Sequence, residues 1–153
     1  MTIKLVAWDV YGTLIETGHC ETSDVEENEN LRLREGALES LSLIKSKDIT
    51  QCTCSDGNLT NLKRDLAEAG IKWKEFFDDL YEMTPLQQKD FSFIIESYKI
   101  RSENLLVIGD NKDIDIALAK KQGCQTIWAP EFVRYRKMPV RLPIDVNRIK
   151  YFL

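Results

Sequence analysis

The sequence predicts an α/β fold: a doubly wound, Rossmann-like parallel sheet of about five strands with helices on both faces. Three observations predict it: five short apolar or β-branched runs, helical patterns between them, and the regular alternation of the two. The first run, Ile3–Trp8, is interrupted by Lys4 and ended by Asp9, and Leu38, Leu41, Leu43 and Ile44 then share a helical stripe. The second run, Ile49–Cys54, leads to a helix that starts at Asn58-Leu-Thr-Asn and ends at Gly70, where glycine suits a C-terminal stop. The third, Asp79–Glu82, precedes the helical group Phe91, Phe93, Ile94 and Ile95. The fourth, Asn104–Ile108, precedes Ile114, Ile116, Ala117 and Leu118, a pattern that stops at Gly123 before the fifth run, Gln125–Ala129. All five are expected to be buried strands joined by right-handed crossovers.

At 153 residues the chain suits one domain spanning 1–153, with an acidic insert at 17–34 and a basic tail at 131–153. The segment from Arg134 to Pro143 is expected to be irregular. Hydrophobic residues make up 43% and charged residues 30%, a balance typical of soluble proteins, and no apolar run is long enough to cross a bilayer. The first apolar run lacks the long centre and cleavage site of a secretory signal, so a cytoplasmic protein with Cys20, Cys52, Cys54 and Cys124 as free thiols is expected. A net charge of −4 does not favour nucleic acid as a bulk ligand. Charge runs are usually solvation, and that reading of both the insert and the tail is preferred to contact with an anionic partner.

In doubly wound sheets ligands bind beyond the carboxyl ends of the strands. Those ends carry Asp9, then Ser55-Asp56, then Met83-Thr84, then Gly109-Asp110. Asp9 would be held rigidly there, with Gly12 letting the backbone turn sharply and Thr13 in reach of the carboxylate. Such an aspartate can serve as nucleophile, metal ligand or both. Asp110, Asp113 and Asp115 lie at the mouth of the next helix. Several carboxylates beside Asp9 imply a cation, and hard oxygen ligands select magnesium. Asp110 is read as a metal-site acid, while Asp113 and Asp115 suit either metal binding or helix capping. Ser55, Asp56, Gly57 and Asn58 could hold an anionic oxygen, and Lys89, entering the third helix, could offset the carboxylates.

These pieces, in this order and each at a strand end, resemble the haloacid dehalogenase superfamily over nearly the whole chain. Asp9-Val-Tyr-Gly-Thr-Leu resembles its first signature, Cys54-Ser55-Asp56-Gly57 its second, and Gly109-Asp110 with Asp115, Ala117 and Gly123 its fourth. The resemblance implies an Mg²⁺-dependent phosphohydrolase in which Asp9 forms an aspartyl-phosphate. It implies metal ligation by Asp9, the backbone carbonyl of Tyr11, and Asp110, with Asp115 nearby, and binding of the transferring group by Ser55 and a lysine. The substrate-binding loops would be Gly12-Thr13 and Ser55-Asp56-Gly57. The expected partner is a phosphorylated substrate, including a macromolecular one, because 17–34 is too short for a helical cap.

The chain departs from the superfamily pattern at two places. Tyr11 stands where phosphatases of the superfamily carry an aspartate acting as general acid and base, which implies low activity or substrates with good leaving groups. Thr84-Pro85 stands where many relatives have Lys-Pro, so the lysine role passes to Lys89. Tyrosine at position 11 also matches haloacid dehalogenases, which need no metal; a non-catalytic binding module is the third reading. A zinc site from His19, Cys20, Cys52 and Cys54 is disfavoured by the C-x-C spacing.

Overall fold

The computed structural model describes residues 2–16, 31–83, 88–135 and 138–153, the stretches 132–135 and 138–141 by backbone alone. Its elements in chain order are β1 (Leu5–Trp8), β2 (Ile15–Glu16), β3 (Arg32–Leu33), α1 (Ala37–Ser46), β4 (Thr50–Ser55), α2 (Leu59–Glu68), α3 (Trp73–Phe76) and β5 (Asp79–Glu82). There follow α4 (Ser92–Ser97), β6 (Leu105–Gly109), α5 (Ala117–Lys121), β7 (Gln125–Trp128), β8 (Phe132–Tyr135), β9 (Met138–Arg141) and α6 (Val146–Phe152). Residues Lys112–Ile116 form one wide π-type turn leading into α5.

The main sheet is five-stranded in the order β5-β4-β1-β6-β7, and every neighbouring pair is parallel. The doubly wound α/β class expected from the sequence is the observed one. β1 is central because both its faces are apolar. Val6 and Trp8 join one core cluster with Leu41, Ile44, Leu62 and Leu66, while Leu5 and Ala7 join the other with Cys52, Phe91 and Ile94. The two-residue period of a strand sends alternate side chains to opposite faces. The chain moves outward from β1 to β4 and β5, then crosses back to β6 and β7. The reversal leaves Asp9 at the end of β1, between the ends of β4 and β6, where such sheets open a crevice.

Four expectations are corrected. β5 and β7 are not buried strands: they are the two sheet edges, and apart from Ile127 their residues are exposed or half-buried. On α1 the buried positions are Ala37, Ser40, Leu41 and Ile44, whereas Leu38 is 48% exposed. Ser40 can take an inward place because its hydroxyl donates to Gly36 O at 2.6 Å, so no bare polar group is buried. The segment expected to be irregular holds the antiparallel hairpin β8-β9. The C-terminal stretch then forms α6, which seats Ile149 in the core beside Ile144.

Of the acidic insert, residues 17–30 lie outside the described residues, as do His19, Cys20, Thr84 and Pro85. The described base of the insert is the antiparallel pair of β2 with β3. Cys52, Cys54 and Cys124 are buried free thiols. No helix among the described residues is long and apolar enough to cross a membrane.

Candidate active site

Asp9 is 7% exposed and its two oxygens have different partners. Oδ2 accepts from the Thr13 hydroxyl at 3.0 Å and Oδ1 from the Lys89 ammonium at 3.0 Å. Lys89 is 2% exposed and also donates to Asp115 Oδ1 at 2.5 Å. The second Asp115 oxygen accepts from the backbone N–H of Asn111 at 3.1 Å. Asp110 joins through Thr13, whose hydroxyl lies 3.3 Å from Asp110 Oδ1. A hydroxyl has one proton, so Thr13 donates to one of the two aspartates at a time.

Local backbone chemistry brings these groups together. Gly12 has φ +80°, and a Cβ there would lie 2.5 Å from Asp110 Oδ2; a residue with a side chain would be strained and would displace that carboxylate. At Gly109 a Cβ would run into the Asp115 carboxylate. The turn after Asp110 is capped by Asn111, whose side-chain oxygen accepts from the N–H groups of Asp113 and Ile114, both at 3.0 Å. The capping considered for Asp113 and Asp115 is thus performed by Asn111, and Asp113 is exposed, outside the cluster.

The electrostatics follow from crowding in a dry site. Burial, with Asp110 adding to it and Lys89 opposing, raises the Asp9 carboxyl to about 7. Burial and the Asp9 charge raise Asp115 to about 6, and burial raises Asp110. Burial alone would push the Lys89 ammonium down, but Cys54, Asp9 and Asp115 around it carry it well above the ordinary lysine range. One oxygen from each of Asp9, Asp110 and Asp115 lies within 4.8 Å of the others, the only such group of possible metal ligands among the described residues. Three carboxylates with Lys89 as their ion-pairing cation leave two formal negative charges. Hard oxygen donors with that balance fit a divalent cation such as magnesium.

The other side of the crevice is arranged differently. Ser55 is buried, and its oxygen accepts from Gly57 N at 3.2 Å. Asp56 has one buried side-chain oxygen without a hydrogen-bond partner among the described residues, and Asn58 caps α2 by accepting from Asn61 N at 2.9 Å. The Tyr11 ring lies over Gly57, where a Cβ would come within 2.8 Å of it. Its hydroxyl donates to Asp65 Oδ2 at 2.5 Å, and Asp65 also accepts from Arg64 Nε at 3.0 Å. Burial and the Asp65 hydrogen bond push the Tyr11 phenol well above its usual range.

A sequence model of the haloacid dehalogenase-like hydrolase family matches residues 20–123, more than half of the chain. The chain belongs to that family. The matched stretch contains Ser55, Lys89, Asp110 and Asp115 of this haloacid dehalogenase-like hydrolase and begins after Asp9. Among solved structures, a haloacid dehalogenase-like family hydrolase from Xanthomonas campestris has TM-score 0.70 at 11% identity, over 99% of this chain and 96% of that one. A predicted phosphoglycolate phosphatase from Haemophilus somnus has TM-score 0.65 at 15% identity, covering 82% and 84% of the two chains. The L-2-haloacid dehalogenase from Xanthobacter autotrophicus has TM-score 0.66 at 15% identity, covering 87% and 80%. At this identity the likeness concerns fold, and a phosphatase and a dehalogenase share it equally. No curated protein matches the sequence.

Sequence reasoning passed over Asp65 and Arg34. Asp65 had a signal: it lies on the Leu62–Leu66 stripe of α2, where a carboxylate needs a partner. Arg34, read as part of a solvated face, is 3% exposed. Its guanidinium donates to the carbonyls of Ala129 at 2.6 Å, Pro130 at 2.5 Å and Leu142 at 2.8 Å, and at 3.5 Å to that of Gly12. It ties the Gly12 turn to the C-terminal segment, a long-range role that local pattern could not reveal.

Proposed function

We propose that this family member is a magnesium-dependent phosphohydrolase in which Asp9 attacks phosphorus to form an aspartyl-phosphate that water then hydrolyses. The observation carrying this reading is the cluster itself: Asp9 paired with Lys89, Lys89 paired with Asp115, and Asp110 within 4.8 Å, with charge left for a divalent ion. Magnesium, when bound, neutralises charge on the phosphoryl oxygens. Asp9, Asp110 and the Tyr11 carbonyl would hold it, with Asp115 close by.

The chain's own groups do the rest. Thr13 and Lys89 each hold one oxygen of the Asp9 carboxylate, and Lys89 would offset negative charge on the transferring group. The Ser55 hydroxyl and the backbone N–H of Asp56 would donate to a phosphoryl oxygen. The Tyr11 hydroxyl, committed to Asp65, is poorly placed to replace the missing acid and base. Substrates that expel a weakly basic group, acyl phosphates, phosphoanhydrides and aryl phosphates, are therefore expected to react far better than alkyl phosphates. We read the chain as one domain, with 17–34 in place of a cap and an open site.

The test is turnover of acetyl phosphate with magnesium and with chelator, for the wild type and Asp9→Asn. Turnover that needs both metal and Asp9 supports the reading. Halide release from 2-chloropropionate in chelator would favour dehalogenation instead. Silence on both, with a partner whose binding survives Asp9→Asn, would favour a binding module.

A further inference from the structure

Lys89 belongs to neither a helix nor a strand, and a lysine stem is flexible, yet its ammonium meets Asp9 and Asp115 together at 2% exposure. A buried ion pair is favourable only when its geometry is closely held, so the main chain from which Lys89 starts must itself be fixed. Part of the hold is local. Phe91, two residues on, is wholly buried in the cluster with Leu5 and Ala7, and the Asp90 carboxylate accepts from Ser92 N at 2.9 Å.

The rest comes from Gln122, which follows α5. Its Oε1 accepts from Phe91 N at 2.7 Å, and its Nε2 donates to Lys89 O at 2.9 Å and to Leu118 O at 3.1 Å. The amide oxygen and both amide protons are therefore engaged. Glutamate has the same length but brings no donor when ionised, and leucine brings neither donor nor acceptor. Asp115 lies seven residues before Gln122, in the turn that leads into α5. One continuous segment thus grips Lys89 at both ends, its ammonium through Asp115 and its main chain through Gln122.

We infer that Gln122 is a positioning residue: its amide clamps the main chain from Lys89 to Phe91 and so sets the reach of the Lys89 ammonium to Asp9. The consequence for turnover rests on the phosphohydrolase reading, in which Lys89 faces the transferring group; the clamp itself does not. Gln122 acts through Lys89 and touches none of the reacting atoms.

The test uses the full chain carrying Gln122→Leu, which removes the clamp, or Gln122→Glu, which keeps an acceptor for Phe91 N but sets a carboxylate oxygen against Lys89 O. Each change is made in the wild type and in Lys89→Met. With acetyl phosphate and magnesium, kcat is expected to fall on the order of 10²-fold in both variants while KM moves much less, the cost of misplacing a group at the reacting centre by about 1 Å. In Lys89→Met the same changes should alter kcat by no more than about twofold, because a residue that acts through another has nothing left to act on. Wild-type kcat in Gln122→Glu would reduce Gln122 to a cap for α4 and overturn the clamp, as would an undiminished loss in Lys89→Met. Crystal structures of the two variants read the clamp without turnover: Lys89 Nζ displaced from Asp9 or Asp115 supports it, and Nζ still within hydrogen-bonding reach of both overturns it. If the wild type does not turn over acetyl phosphate, the phosphohydrolase reading fails and these structures alone decide the clamp.

Discussion

The two sides of Asp9 solve opposite problems. On one side Lys89 and Asp115, 2% and 1% exposed, form a dry ionic chain whose charges are shared between neighbours. On the other, Tyr11 and Asp65 form a neutral-donor hydrogen bond at the half-open edge of α2. The first side concentrates charge where a phosphoryl group would sit; the second withdraws the residue that would handle protons. On the proposed reading the chain is equipped to bind and transfer a phosphoryl group but poorly equipped to protonate a basic leaving group.

The sharpest way to break that contrast is at Lys89. Lys89→Met leaves Asp9 and Asp115 buried without their cation, and losing one partner of a buried ion pair costs about 3–5 kcal/mol. The expected result is a lower Tm and acetyl phosphate turnover reduced on the order of 10³-fold, read by thermal unfolding and steady-state kinetics. On the other side, Tyr11→Asp supplies the missing acid. It should raise alkyl phosphate turnover by about 10²-fold relative to acetyl phosphate, with some loss of stability as Asp65 gives up its donor. An unchanged ratio would mean that position 11 does not face the leaving group.

Arg34 joins the Gly12 turn to the C-terminal segment. Arg34→Met strips donors from the buried Ala129 carbonyl and from those of half-buried Pro130 and Leu142, and each buried acceptor left without a partner costs about 1–3 kcal/mol. A marked drop in Tm is expected, larger than for Arg101→Met, whose ion pair with Glu103 is exposed. The smallest effect is pH-dependent. With Asp9 raised to about 7 and Asp115 to about 6, the metal-free folded state holds protons that the unfolded chain releases near 4. Stability from these groups is complete below that value and is lost as pH rises through 6 and 7. The Tm of metal-free protein should therefore fall by a few degrees from pH 5.5 to 8, and magnesium should raise it more at pH 8, where it meets ionised carboxylates. A magnesium effect independent of pH would count against ligation by these aspartates.

The five strands were legible because central parallel strands are nearly continuous apolar runs; β5 read the same way although it lies at the edge, since four residues carry no sign of what covers them. The hairpin β8-β9 escaped because Pro139 and its charged residues resemble a loop, while α6 is too short to show a strong periodicity. At the candidate site, the grouping of Asp9, Lys89, Asp110 and Asp115 could be anticipated because the topology brings strand ends together. Asp65 had a signal in its place on the Leu62–Leu66 stripe of α2, whereas Arg34 had none, because its partners are remote in sequence and its role depends on side-chain direction.

The most direct measurement of the central claim is mass spectrometry of acid-quenched protein during acetyl phosphate turnover with magnesium. The account predicts one phosphoryl group on the peptide containing Asp9, absent in chelator and in Asp9→Asn. Turnover that continues in Asp9→Asn, or a phosphoryl group found on another residue, would contradict it.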